Sequence, residues 1–150
     1  MPFFHDQDRS GLRRRYTEAW RKRRAALPLE PLEDQIATVI EEHPEYQPLV
    51  EDEAGALSRD YDPEGGQANP FLHMGLHLAI REQVGTNRPP GIAAVHAELC
   101  RRIGNRHDAE HRMIECLGEA LWRSQRTGRP PDEAAYLESL RRLPGHARSR

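Results

Sequence analysis

NPFLHMGLHLAI, residues 69–80, decides how this chain is read. Its apolar positions recur at helical spacing, and Asn69 followed by Pro70 supplies an N-cap and a first-turn residue. The pattern predicts a helix over about residues 70–84. At 100° per residue, His73, Leu76, His77, Ile80 and Val84 share one arc about 100° wide. Both imidazoles therefore lie on the stripe that faces the core, stacked one turn apart. HDAEHRMIECLGEALW, residues 107–122, repeats the device. In a helix over about residues 106–125, His107 and His111 share a side with Ile114, Gly118 and Leu121, and Glu110 and Glu115 flank that arc.

Working outward, no alternating run of β-branched and aromatic residues reaches strand length, so the class is all-α. A basic first helix is expected over residues 8–26, with Leu12, Tyr16, Trp20 and Leu27 on its apolar face. A second helix should begin at Pro31, bury Leu32, Ile36, Val39 and Ile40, and stop before Pro44. Residues 29–64 form an acidic segment, with a short helix around Leu49–Leu57 followed by a loop. Ile92, Val95, Leu99 and Ile103 mark a further helix that Gly104 ends, and Asn105 caps the next, giving a tight helical hairpin. PDEAAYLESLRRL reads as a last amphipathic helix and PGHARSR as a frayed tail. The expected architecture is a single domain of 150 residues, a compact bundle of about five to six helices.

Charge is segregated along the chain. Residues 1–24 carry eight basic and three acidic side chains, residues 29–64 one basic and twelve acidic. The two segments should lie close together, which leaves little positive field for nucleic acid. No window has the length of an apolar membrane span, and the N-terminus lacks the basic-then-apolar layout of a signal peptide, so the expected location is cytoplasmic. Cys100 and Cys116 have no CxxC spacing and are expected to be reduced and partly buried.

Two HxxxH pairs on helices that can face each other meet the geometric need of a metal site inside a bundle. The candidate ligands are His73, His77, His107 and His111, with Glu115 and Glu110 as carboxylate ligands or as partners that orient a ring. Neutral imidazoles suit zinc or iron among transition metals. The positive end of the second histidine helix disfavours protonated His107 and keeps it available as a ligand. One such pair is weak evidence, because a lone buried histidine is more often a hydrogen-bonded core residue. His43, before Pro44, is a fifth candidate ligand but reads first as a cap on the end of its helix. His96 reads as a surface residue, and Tyr16 and Trp20 as core. Phosphate-loop, GxSxG and HExxH motifs are absent, which removes support for nucleotide binding and serine hydrolysis.

EEHPEYQPLV, DYDPEGGQANPFLHMGLHLAIREQ, PPGI and RHDAEHRMIECLGEALWRSQR resemble the bacterial domain of unknown function numbered 1841. The resemblance runs from YTEAWRK to YLESLRR and implies a bacterial, cytoplasmic, helical protein. The family carries no established activity to transfer. Its HPEY motif is often followed by histidine, where this chain has Gln47, which weighs against a ligand role for that position. Hemerythrin-like and DinB-like bundles are similar only in gathering histidines and carboxylates between helices.

The leading functional expectation is a transition-metal-binding bundle, with metal-assisted hydrolytic or oxygen chemistry if a reaction is carried. No catalytic residue is assigned. The alternative is a metal-free protein–protein interaction module, docking a partner or forming a homodimer through its acidic segment or basic first helix, with structural buried histidines. No nucleic acid and no membrane are expected as partners.

Overall fold

The computed structural model describes residues 6–58 and 69–143. The loop expected before Asn69, the tail PGHARSR, His5 and His146 lie outside them. Eight α-helices occur among the described residues, and no strand does. The all-α class stands, and the expected five to six helices become eight. The chain divides within one of these helices into two compact units, residues 1–78 and 79–150.

In the first unit, α1 (Asp6–Arg24) packs on α2 (Pro31–Glu41), α3 (Gln47–Glu51) and α4 (Glu53–Ser58). The acidic stretch holds two short helices where one was expected. Asp52 leaves helical backbone geometry between them, and its carboxylate accepts from the Gly55 N–H at 3.3 Å, at the start of α4. A 3-10 turn, Pro44–Tyr46, follows α2, so Pro44 stops that helix as its missing N–H requires.

The buried face of α1 is rotated from the expected one. Arg13, Tyr16, Thr17, Ala19 and Trp20 are buried, while Leu12 is 50% exposed and Leu27 44% exposed. Leu32 of α2, expected inside, is also 44% exposed. Arg13 supplies the reason on α1: its Nη1 donates to the Ala56 carbonyl at 3.1 Å and its guanidinium lies over Phe71. A long polar side chain satisfied in this way can hold a core position that leucine would otherwise take. Tyr16, Trp20, Ile36, Ile40, Val50, Phe71 and Met74 form the centre of this unit's core. Around it the opposite charges meet, Lys22 with Glu33 at 2.9 Å, Arg23 with Glu41 at 2.8 Å and Arg23 with Asp34.

α5 (Pro70–Thr86) begins as read, with Asn69 Oδ1 accepting from the Phe71 and Leu72 N–H groups. In the second unit, α6 (Ile92–Ile103) packs on α7 (Arg106–Thr127), and α8 (Glu133–Arg141) packs on both. Gly104 closes α6 at φ 84°, and Asn105 accepts from the Asp108 N–H to open α7, so the expected hairpin forms. Ile92, Leu99, Met113, Leu117, Leu137 and Leu140 are buried here. Tyr136 of α8 donates to Gln83 Oε1 of α5 at 2.7 Å.

Candidate metal centre

Three histidine rings gather in the first unit. His43 follows the last turn of α2, and its Nδ1 lies 2.8 Å from the Val39 carbonyl oxygen. A carbonyl can only accept, so Nδ1 carries the proton and Nε2 the lone pair. The expected capping role is therefore met by one ring nitrogen, and the other has the form a metal ligand requires. His43 is 2% exposed, its ring stacked on Tyr46 with centroids 5.4 Å apart. His73 and His77 come from successive turns of α5, and the His43 ring lies 5.1 Å and 4.6 Å from theirs. The Nε2 atoms of His73 and His77 are 3.2 Å apart. His77 is fully buried and His73 half-buried. Burial of Tyr46 raises its phenol pKa, and the charge of neighbouring Glu45 adds to the effect.

In the second unit, His107 and His111 lie one turn apart on α7, with ring centroids 4.2 Å apart. Glu110, also on α7, is 1% exposed. Arg81 of α5 grips its carboxylate from two nitrogens, Nη2 at 2.8 Å and Nε at 3.0 Å. This fork-to-carboxylate geometry is the strong form of the pair. Glu115 is exposed on α7. His96 is half-buried, where a surface position was expected, and its Nε2 is 3.4 Å from Cys100 Sγ. Burial lowers the His96 pKa, with Glu110 opposing that shift and Arg106 and Arg81 adding to it. Burial also raises both thiols, Cys100 and Cys116, so neither has the low pKa of a reactive cysteine.

Each unit thus presents its own imidazole group, His43, His73 and His77 in the first and His107 and His111 in the second. Neutral imidazoles grouped in this way can hold a metal ion. Of the four histidines expected as ligands, His73 and His77 stand side by side on α5, and His107 and His111 do so on α7. His43, which sequence reasoning ranked first as a helix cap, stands with His73 and His77 in the first unit. The signal for it was present in the HPEY turn, where the chain leaves α2 at His43 and enters a 3-10 turn at Pro44–Tyr46. Of the two carboxylates, Glu110 is engaged by Arg81, and Glu115 is turned to solvent.

Among the described residues, no helix is long and apolar enough to cross a membrane. No curated protein and no solved structure matches the chain. A family model matches residues 8–142, and by it the chain belongs to the family described as Domain of unknown function (DUF1841).

Proposed function

We propose that this protein binds a transition metal ion through imidazole nitrogens of His43, His77, His107 and His111. The observation that carries the reading is that each unit gathers imidazoles, His43 beside His77 in the first and His107 one turn from His111 in the second. Imidazole is the ligand type common to zinc and iron sites, and four of them with no carboxylate suit a tetrahedral zinc ion. The Val39 carbonyl acts on His43 as the usual outer partner acts on a ligating histidine, fixing its tautomer and orientation. Glu110 is read as a positioning residue on α7, with its carboxylate committed to Arg81.

A closed set of four nitrogens favours a structural or storage role. A larger coordination number, as iron adopts, would retain a position for water or dioxygen and permit hydrolytic or oxygen chemistry. The interaction-module alternative draws on charges of α1 and the acidic segment that are, in part, already paired with each other. Metal content by mass spectrometry on untagged protein tests the proposal. The expected result is close to one equivalent of zinc or iron, lost together in the His43→Ala, His77→Ala and the His107→Ala, His111→Ala double variants. Wild-type protein that neither carries nor takes up either metal would overturn it.

A further inference from the structure

Resting on that reading, the geometry points to His73 as a transfer ligand, the side chain that first captures the ion and hands it to the group of four. Three observations converge on this role. His73 is half-buried, whereas His43 and His77 are 2% and 0% exposed, so it is the most accessible of the three rings in the first unit. Its Nε2 lies 3.2 Å from the Nε2 of His77. Two nitrogens bonded to one tetrahedral ion at about 2.0–2.1 Å stand about 3.3 Å apart, so this pair already has the spacing of two ligands on a shared ion. Finally, the His73 ring also meets the His43 ring edge-on at 5.1 Å, which puts it next to both first-unit imidazoles of the proposed ligand set.

The step is a ligand exchange. The ion arrives hydrated, exchanges water for the nitrogens of His73 and His77, and then breaks its bond to His73 as a bond to another imidazole of the group forms. No electron is transferred, and the imidazoles act in their neutral form. Because the same path runs backwards, His73 speeds release as well as uptake and leaves the final affinity nearly unchanged.

The probe is cobalt(II), whose visible absorbance reports nitrogen coordination, mixed rapidly with full-length apo-protein and then chased with EDTA. In the His73→Ala and His73→Gln variants, one equivalent should still bind with an affinity within about three-fold of wild type. Uptake and EDTA-driven release should both slow by ten-fold or more. Circular dichroism checks that the helix content is retained, and the glutamine variant keeps the volume of the ring should alanine loosen the cluster. Unchanged rates in both variants would make His73 a bystander and overturn the inference alone. Loss of cobalt from both folded variants would overturn it too, making His73 a permanent ligand. A wild type that binds no cobalt, zinc or iron would remove the metal reading itself, and the inference with it.

Discussion

Arg81 and Glu110 show how one residue pair can constrain α7 beside its histidines. The Glu110 side chain is 1% exposed and that of Arg81 16%, so this pair is largely removed from water. Breaking a buried pair from one side leaves a charge without its compensation and costs about 3–5 kcal/mol. Arg81→Met should therefore lower stability by about that amount in chemical denaturation. Arg81→Met combined with Glu110→Leu should recover much of the loss, since an apolar pair of similar volume carries no desolvation penalty. A double variant as unstable as the single one would show that the rest of Glu110's surroundings requires a carboxylate.

His96 gives a residue-scale pH prediction. Its pKa is lowered by burial from the ordinary value of 6.5, so in the window below that value the unfolded chain binds the proton first. Stability from this group is complete above the unfolded pKa and is lost as pH falls toward the lowered folded one. His96→Gln should flatten the fall in melting temperature between neutral and mildly acidic pH. A difference between variant and wild type that is the same at all pH values would rule this out.

Among the elements, α1 is the case where apolar spacing alone misleads. Leu12, Tyr16 and Trp20 fit one face, yet the helix turns to bury Arg13 and Thr17 and leaves Leu12 half in water. Leu12→Gln should change stability by less than about 0.5 kcal/mol, whereas Tyr16→Ala should cost about 3–5 kcal/mol through lost burial and a cavity beside Phe71. Equal effects would return Leu12 to the core. At the α6–α7 junction, the local chemistry does match the sequence. Gly104 takes a positive φ that a Cβ would strain, and Asn105 accepts from the Asp108 N–H. Asn105→Ala should cost about 1 kcal/mol in thermal or denaturant unfolding.

For the molecule as a whole, metal binding to the native state alone would make stability depend on metal. At a free ion concentration one hundred times the dissociation constant, the gain is about 2.7 kcal/mol. Chelator should therefore lower the melting temperature of wild type and leave the His107→Ala, His111→Ala variant unmoved. The same melting curve with and without chelator, in protein shown to contain metal, would mean that the ion sits where folding does not depend on it.

Residues close along the chain suffice for the helical class, the helix starts at Asn69 and Asn105, the stops at Pro44 and Gly104, and the burial of His77. Each follows from spacing, capping or backbone chemistry within a few residues. Long-range packing, by contrast, makes Arg13 displace Leu12 from the core, lets Arg81 claim Glu110, and brings His43 to His77 with His73 at its side. Those outcomes depend on which side chain, distant along the chain, offers the carbonyl, carboxylate or ring that satisfies a buried polar group. Periodicity within one helix names the face a residue occupies, but the partner across that face is set by packing.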